Sequence, residues 1–225
     1  MNSLSLKRPC RIGAAGVLFT LAAGCSALHP SAVEQPAFYS LDNVRTESRA
    51  TMPAPAKNVV AITAPTLIVN PPRAASGFSS QRIVYVREAH QLEYYVHSEW
   101  VDSPARMIAP LIVAAVGNSG SFRAAVLTPS ATNGDLRLDT EIVRLQHDVS
   151  SKPGGVRFTL RATMVDNTTR KVLARSEFDE TIASTSEDPY GGVIAANRAV
   201  QVVIEQLVEF CNETVEHWQS HDSGN

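Results

Sequence analysis

The sequence has 225 residues and is 44% hydrophobic, 19% charged and 6% aromatic. These proportions are typical of one folded soluble domain and exclude a disordered, collagen-like or coiled-coil chain. Its 20 basic and 22 acidic residues give a net charge of −2, without a block of basic residues. Because nucleic-acid affinity depends on neutralised phosphates, this charge disfavours a DNA- or RNA-binding protein.

The first segment, residues 1–24, has the features of a signal peptide. Lys7, Arg8 and Arg11 are positively charged, and the following residues, Ile12–Ala23, carry no charge. Twelve helical residues span roughly 18 Å, which is shorter than the ~30 Å hydrocarbon core of a bilayer. A stable membrane-spanning helix is therefore excluded, and the apolar region of a signal peptide fits this length.

A cysteine follows the apolar segment in a pattern similar to a bacterial lipobox. The residues Leu21-Ala-Ala-Gly-Cys25 are small or apolar up to the cysteine, although Ala22 occupies the position where leucine is usual. In signals of this kind the thiol receives a diacylglyceryl group, the chain is cut before the cysteine, and the new amine is acylated. The sequence therefore predicts lipidation at Cys25. Ordinary secretion, with an incidental cysteine, is the alternative.

The residues around the cysteines indicate a compartment. Ser26 follows Cys25, and the absence of aspartate there favours the outer membrane by analogy with many Gram-negative lipoproteins. Anchoring in the inner membrane stays an open alternative. Two or three acyl chains hold a protein on a bilayer because each buried methylene contributes about 0.8 kcal/mol. With Cys10 in the leader and Cys25 acylated, Cys211 is left without a disulfide partner, and its place on the apolar face of a predicted helix favours a buried, inert thiol.

Residues 25–57 are predicted to form a flexible tether rich in proline and alanine. Its first part, residues 26–37, lacks periodicity and extends to about 40 Å at ~3.3 Å per residue, enough to hold a domain away from its membrane. Within the tether, the apolar segment Phe38–Leu41 is predicted to dock as an edge strand. One folded domain is predicted from residue 58 to residue 218, and residues 219–225 form a polar tail.

Alternating and β-branched segments predict a mixed sheet in this domain. The predicted strands are Val59–Thr63, Thr66–Val69, Arg82–Arg87, Leu92–His97, Phe122–Leu127, Leu136–His147, Val156–Val165 and Lys171–Ile182. Arg82–Arg87 and Leu92–His97 are expected to pair as a hairpin. The last three strands in the chain are expected to form an antiparallel meander with one solvated face. The hydrophobic alternation changes phase between Ile142 and Val143, which predicts a β-bulge.

Two helices are also predicted. Ser103 and Pro104 suit the N-cap and first position of a helix that ends at Gly117–Asn118 and is kinked or split by Pro110. Because strands flank this helix, a βαβ unit is expected. A second, long helix begins near Asp188-Pro189 and carries an apolar stripe at helical spacing. The stripe consists of Val193, Ala196, Val200, Val203, Ile204, Leu207, Cys211, Val215 and Trp218.

The sequence contains no familiar catalytic motif. It has no Gly-x-Ser-x-Gly elbow, His-Glu-x-x-His, Cys-x-x-Cys, P-loop or dinucleotide fingerprint, and its six histidines are scattered. Asp135, Asp139 and Glu141 alternate along one strand, which indicates a solvated face better than paired acid catalysts. We therefore predict no catalytic, cofactor-binding or metal-binding residues, and a protein that is not an enzyme.

A cluster of arginine and aromatic residues around the predicted hairpin is the candidate partner-binding surface. It consists of Arg82, Arg87, Tyr94, Tyr95 and Trp100. Arginine, tyrosine and tryptophan are enriched at the hot spots of protein interfaces, which favours a role in recognition. The alternative, that the aromatic residues only cap a small sheet, stays equally open.

Together these segments resemble the ABC-type transport auxiliary lipoprotein family, which includes the PqiC-type lipoproteins. The resemblance covers essentially the whole mature chain, and no single motif in it is diagnostic. It rests on the lipobox and on an ordered series, namely Tyr39-x-Leu41, Arg82–Arg87, Leu92–Tyr95, Trp100 with Pro104, the Phe122 strand, the meander and the final helix. The family implies an α/β fold, with a single three-layer α/β/α domain around a mixed, partly antiparallel sheet that follows a signal peptide and flexible tether.

The resemblance also implies a function. Such lipoproteins are lipid-anchored, non-catalytic auxiliary subunits that work beside an inner-membrane ABC permease with its ATPase and a periplasm-spanning MCE protein. These systems move phospholipid or other hydrophobic molecules between the two membranes, and the domain faces the periplasm. Homo-oligomerisation stays open. Two other functions also stay open: a shuttle that itself binds lipid in a pocket, and a hydrolase with an unrecognised site.

Overall fold

A computed structural model of the protein describes residues 35–42 and 64–222. The leader, Cys25 and most of the predicted tether lie outside the described residues, as do the predicted strand Val59–Thr63 and the last three residues of the polar tail. No helix within the described ranges is both long enough and apolar enough to cross a membrane.

The described residues form one nine-stranded sheet and two helices. The elements are β1 (Ala37–Tyr39), β2 (Thr66–Val69), β3 (Arg73–Ala74), β4 (Arg82–Val86), β5 (Glu93–Trp100), α1 (Pro104–Gly117), β6 (Ala124–Leu127), β7 (Leu136–Asp148), β8 (Gly155–Asp166), β9 (Val172–Ala183) and α2 (Pro189–Asp222). The predicted α/β class and the mixed, partly antiparallel sheet are confirmed. The strand β1 overlaps the segment Phe38–Leu41 that was predicted to dock at an edge, and it pairs in parallel with β5.

The sheet is organised around β7. Along one edge β7 pairs antiparallel with β8, which in turn pairs with β9. The other edge of β7 is shared by three short parallel strands, with β2 near its start, β3 in its middle and β4 near its end. Beyond β2 lies β6, and beyond β4 lie β5 and then β1. The sheet therefore divides into two arms on this side of β7.

The meander has one buried face, as its alternation predicts. In β8 the alternate apolar residues are buried, and they are Val156, Phe158, Leu160, Ala162 and Met164. The β7–β8 register passes from Ile142 opposite Leu160 to Arg144 opposite Thr159, so the predicted bulge lies at Val143. The bulge returns the later residues of β7, including His147, to the buried face.

The other face of the meander carries cross-strand ion pairs. Arg161 contacts Glu141 of β7 at 3.0 Å and Glu177 of β9 at 2.8 Å, and Arg157 pairs with Asp179 of β9. Exposed pairs of this kind contribute only about 0–1 kcal/mol each. This face is therefore solvated, as the sequence indicates for Glu141 and its neighbours.

The helices cover the buried side of the sheet. The apolar stripe of α2 packs against β8 and β9, with Leu207 and Cys211 fully buried. α1 packs against β6 and against α2, so the two helices are neighbours and share one hydrophobic core with the sheet. Among the described residues the helical layer lies on this side, opposite the ion-paired face of the meander.

The two helices begin near the predicted residues, and α1 differs from the prediction in two respects. Pro104 takes the first position of α1, but the Ser103 side chain makes no capping hydrogen bond, and the Ser103 carbonyl instead accepts from Arg106 N at 3.0 Å. α1 continues through Pro110 to Gly117, so the predicted split does not occur. α2 begins as expected, because Asp188 Oδ1 accepts a hydrogen bond from Gly191 N at 2.8 Å.

The predicted βαβ unit is not formed. α1 connects β5 to β6, but β6 pairs in parallel with β2 on the other arm of the sheet. Because β4 is antiparallel to β5 and parallel to β7, and β7 is parallel to β2, the strands β5 and β6 run in opposite directions. α1 therefore carries the chain from one arm to the other.

Candidate functional site

The β4–β5 hairpin brings most of the predicted surface residues together. Val84 lies opposite Tyr94, whereas Arg82 lies opposite Glu99, so two residues along β4 correspond to five along β5. The excess residues form a bulge in β5. Val96 lies within this bulge and is 80% exposed. The bulge therefore presents an apolar side chain beside the tyrosines of the hairpin.

A cleft of about 500 Å³ opens beside the hairpin and is termed the tyrosine cleft. It is lined by residues of β4 and the turn after it, β5, the loop after β7 and the loop before α2, namely Tyr85, Arg87, Tyr94, Tyr95, Val96, Val149 and Glu187. Three of the five predicted surface residues, Arg87, Tyr94 and Tyr95, thus line one cleft. Tyrosine and arginine side chains in a concave surface suit a binding site for another molecule.

Two tyrosine rings form one wall of the cleft. The ring centroids of Tyr85 and Tyr95 are 4.5 Å apart, with the planes inclined by 33°. The Tyr85 hydroxyl donates to a carboxylate oxygen of Glu93 at 2.7 Å and accepts from Arg87 Nη2 at 3.3 Å. The hydrogen bond to Glu93 raises the pKa of Tyr85. Its hydroxyl therefore stays protonated, and the ring is fixed before any partner binds.

Tyr95 connects the cleft to the core. Its hydroxyl oxygen lies 2.9 Å from Nδ1 of His147, which is only 2% exposed. Burial, with smaller effects of Tyr85 and Asp188, raises the pKa of Tyr95 to about 12. Burial also lowers the pKa of His147. At neutral pH a neutral phenol and a neutral imidazole therefore share this hydrogen bond, which fixes Tyr95 at the base of the cleft.

The two remaining predicted residues lie outside the lining. The guanidinium carbon of Arg82 lies 5.0 Å from the centroid of the Tyr94 ring, a cation–π contact beside the cleft. Trp100 is 3% exposed and belongs to the hydrophobic core, so its assignment to the binding surface is corrected. The reason is the β5 bulge, after which Trp100 pairs with Tyr39 of β1 and its side chain is buried.

Sequence reasoning missed several residues of the cleft. Tyr85 lies opposite Glu93 in the hairpin, and the alternation of side chains along the predicted strand was a pattern from which it could have been identified. Val149 and Glu187 come from segments far away in the chain, and only the topology of the sheet brings them to the hairpin. Glu187 forms an exposed ion pair with Lys152 at 3.1 Å.

A second cleft, of about 410 Å³, lies between β9 and the end of α2 and is termed the apolar cleft. Its lining residues are Leu173, Ala174, Phe210, Glu213, Thr214, His217 and Trp218. Trp218 is held in place by a hydrogen bond from its Nε1 to Asp166 at 3.2 Å. This cleft could hold an aliphatic group.

Within residues 35–42 and 64–222 there is no cluster of three or more histidine, cysteine or acidic side chains that could hold a metal ion. Cys211 is buried, and burial raises the pKa of its thiol to about 12. The predicted burial of Cys211 is confirmed, and a protonated, inaccessible thiol is a poor nucleophile.

The fold and the tyrosine cleft define an α/β domain with an arginine- and tyrosine-lined surface suited to recognition. The chain belongs to the family described as the ABC-type transport auxiliary lipoprotein component, whose model matches residues 41–208. This confirms the resemblance inferred from the sequence.

Solved structures show the same fold. The domain is similar to protein XCC0632 from Xanthomonas campestris, with a TM-score of 0.63 and 23% identity over 72% of this chain and 89% of that chain. It is also similar to an uncharacterized protein, with a TM-score of 0.59 and 11% identity over 79% of this chain and 99% of that chain. No curated protein matches the sequence.

Proposed function

We propose that this protein is a lipid-anchored, non-catalytic auxiliary subunit of an ABC/MCE-type transport system of the bacterial envelope. The observation that carries the proposal is the family match over residues 41–208, because that family is the auxiliary lipoprotein component of ABC-type transport. The transported molecules are phospholipid or other hydrophobic compounds that move between the inner and outer membranes. The MCE protein is the direct partner, and it connects this subunit to the permease and the ATPase.

The tyrosine cleft is the proposed docking site for the MCE protein. Arg87 and Val96 are exposed at its edge, and Tyr94 is half-buried. The rings of Tyr85 and Tyr95 are already fixed by hydrogen bonds to Glu93 and His147. Little side-chain entropy is therefore lost when a partner packs on these rings. A low entropy cost of this kind is typical of residues that contribute strongly to an interface.

The anchor is proposed to be Cys25, lipidated in the outer membrane, with the domain facing the periplasm. The proposal is supported by the charged n-region, the short apolar segment and the small residues before the cysteine. Fractionation of the two membranes tests the location. Recovery of the protein with inner-membrane markers would contradict the outer-membrane assignment and leave the anchor itself in place.

Cross-linking in cells followed by purification tests the docking proposal. The MCE protein is expected to co-purify with the wild type, and a double Arg87→Ala and Tyr94→Ala variant should recover at least tenfold less, since two hot-spot residues typically contribute about 1–2 kcal/mol each. Arg175→Ala is the matched control, because Arg175 is exposed on β9, which is separated from β4 by β7 and β8.

The two failures of this experiment have different meanings. Absence of the MCE protein from the wild-type sample would contradict the partner. Equal recovery with the wild type and the double variant would contradict only the cleft as its docking site. Near-identical circular dichroism spectra of the three proteins are needed to exclude misfolding.

The non-catalytic assignment is tested separately. A screen of the purified protein against ester and phosphate substrates is expected to show no turnover above background. Turnover that is lost on substitution of a cleft residue would contradict the assignment and favour the hydrolase alternative. The role of the family as an auxiliary transport component supports the expected result.

The apolar cleft favours a second candidate function, a lipid shuttle. Leu173, Phe210 and Trp218 provide an apolar lining in a volume of about 410 Å³. Protein released from the membrane by cutting the tether should then carry copurifying lipid in a native mass spectrum, and Trp218→Ser should carry less. A wild-type spectrum without lipid would remove this candidate.

A further inference from the structure

Exposed apolar side chains flank the edge strand β1 on both sides. Phe38 of β1 is 59% exposed, and Val101, directly after β5, is 51% exposed. On the other side, Tyr190 and Ile194 in the first turns of α2 are 60% and 41% exposed. These four residues are termed the β1 corner. Two of them are connected through Tyr39, whose carbonyl accepts from Val101 N at 2.8 Å and whose ring centroid lies 6.4 Å from that of Tyr190.

The β1 corner is fixed to the body of the domain. Asn197 of α2 donates through Nδ2 to the Ser40 carbonyl at 3.0 Å and accepts from Asp42 N at 2.9 Å. Leu41, between these two residues, is 4% exposed and belongs to the hydrophobic core. The backbone directly after the strand that carries Phe38 is therefore held against α2.

We propose that the β1 corner rests on the bilayer to which the protein is anchored. This inference depends on the proposed lipidation of Cys25, because residues 26–36 alone separate that cysteine from β1. Such a segment extends to at most about 40 Å. The chain thus enters the folded domain at an edge strand that carries the exposed Phe38 and that contacts Tyr190 of α2 through Tyr39. Aromatic rings and aliphatic side chains are the groups that favour the membrane–water interface.

The corner sets the orientation of the domain and not its attachment. Even one myristoyl chain gives only marginal binding, so four partly exposed side chains are too few to hold a protein on a membrane by themselves. The anchor makes their contact with lipid effectively intramolecular, and a weak contact is then sufficient. Glu187 of the tyrosine cleft precedes Tyr190 by three residues. A partner in the cleft therefore meets this protein close to the membrane surface.

Photo-cross-linking of the full-length, lipidated protein in vesicles of phosphatidylethanolamine and phosphatidylglycerol tests the inference. Benzoylphenylalanine is placed at Phe38 or Tyr190, and at Val172 as the matched control, since Val172 on β9 is a similarly exposed apolar residue at 56%. Mass spectrometry is expected to find at least tenfold more lipid adduct at Phe38 and Tyr190 than at Val172.

Three outcomes overturn the inference. They are equal lipid adducts at all three positions, no lipid adduct at Phe38 and Tyr190, and cross-links from these positions to a second copy of the protein. The last outcome would assign the corner to a protein interface.

Flotation of the same vesicles separates this inference from the proposed function. If the wild-type protein does not float with the vesicles, the proposed anchor itself fails. If it floats but gives no lipid adduct at the corner, only the inference about the corner fails. A double Phe38→Ser and Tyr190→Ser variant is expected to float like the wild type, because its acyl chains are unchanged, and reduced flotation would contradict a role restricted to orientation.

Discussion

His147 is the residue at which the tyrosine cleft meets the hydrophobic core. One ring nitrogen shares a hydrogen bond with Tyr95, and Gly192 of α2 packs against the ring so closely that an added Cβ would lie 2.6 Å from Nδ1. Glycine is therefore required at position 192 for this close approach of helix and imidazole. The position of the Tyr95 hydroxyl in the cleft depends on a glycine in a different element.

Gly192→Ala should destabilise the protein. The added methyl group must displace a buried ring, which typically costs about 1–3 kcal/mol in the free energy of unfolding. Gly117→Ala is the control, because its Cβ would meet Ala125 at an ordinary distance of 3.7 Å. Urea unfolding followed by circular dichroism measures both. Equal stability of the two variants would show that the Gly192–His147 contact is not tight.

His147 also predicts a dependence of stability on pH. Burial lowers its pKa below the ordinary value of 6.5, so the unfolded chain binds this proton at a higher pH than the folded protein. The free energy of unfolding should therefore fall as the pH is lowered from about 6.5 towards the folded-state pKa. In His147→Gln this decrease should be absent between about pH 7 and pH 5, as measured by urea unfolding at several pH values.

Carboxylates provide an internal control for that experiment. The hydrogen bond from Arg157 lowers the pKa of Asp179 to about 2, from 3.8, so its contribution to stability is lost only as the pH falls through this lower range. Loss of stability below about pH 4 should persist in His147→Gln. An identical pH profile of wild type and variant between pH 7 and pH 5 would show that His147 is not responsible.

At the scale of elements, local patterns predicted most strands and helices. The alternation of β8 predicted its burial because one face of the meander meets α2, and the phase change after Ile142 predicted the bulge. The strand order was not predictable, because the three parallel partners of β7 are chosen by contacts between residues far apart in the chain. The predicted βαβ unit, which does not form, is an example, since no local pattern in the sequence indicates that β6 pairs with β2.

The same limit applies to the candidate site. Composition and spacing predicted Arg87, Tyr94 and Tyr95, which belong to one hairpin. Val149 and Glu187 join them only through the parallel pairing of β4 with the end of β7 and the entry of α2. Trp100 was wrongly placed on the surface because the excess residues of β5 have no counterpart in the hydrophobic pattern. The assignment rested on residue type, which does not indicate on which side of the sheet a side chain lies.

α1 provides a prediction about a single element. Pro110 lies inside this helix and lacks the N–H that would bond to a carbonyl one turn earlier, yet the helix continues to Gly117. Because Pro110 is exposed, Pro110→Ala should leave the core unchanged and raise the free energy of unfolding by about 1–3 kcal/mol. Thermal and urea unfolding measure the change.

Pro104→Ala is the control for Pro110→Ala. At the first helical position the missing N–H has no partner within the helix, so no gain is expected there. A gain at Pro104 as large as that at Pro110 would point to a general effect of proline removal on the unfolded chain.

At the scale of the whole molecule, α2 separates the two clefts. Glu187, just before the helix, lines the tyrosine cleft, and Trp218 near its end lines the apolar cleft. The intervening helix spans about 45 Å at ~1.5 Å per residue. Effects of substitutions in the two clefts should therefore be nearly independent, which allows docking and lipid binding to be tested one at a time.

The anchor predicts the behaviour of the intact protein. A Cys25→Ala chain, exported with an ordinary cleavable leader, should appear in the soluble fraction after ultracentrifugation, whereas the wild type should sediment with membranes. The reason is that removal of the acyl chains removes about 0.8 kcal/mol for each buried methylene. Intact mass spectrometry of the wild type should show fatty acids on the new N-terminal cysteine.

Two results would contradict the prediction for the anchor. They are complete membrane attachment of the Cys25→Ala protein, and a wild-type mass without any fatty modification.

The central position of β7 affects which parts of the domain open locally. Its main-chain amides have strand partners on both edges, whereas β1, β6 and β9 have a neighbour on only one edge among the described residues. Local opening is easiest at such outer strands, and deuterium should reach them long before it reaches β7. The surfaces assigned to lipid and to the bilayer include β9 and β1, which are outer strands, so they can adjust to what they bind while β7 stays closed.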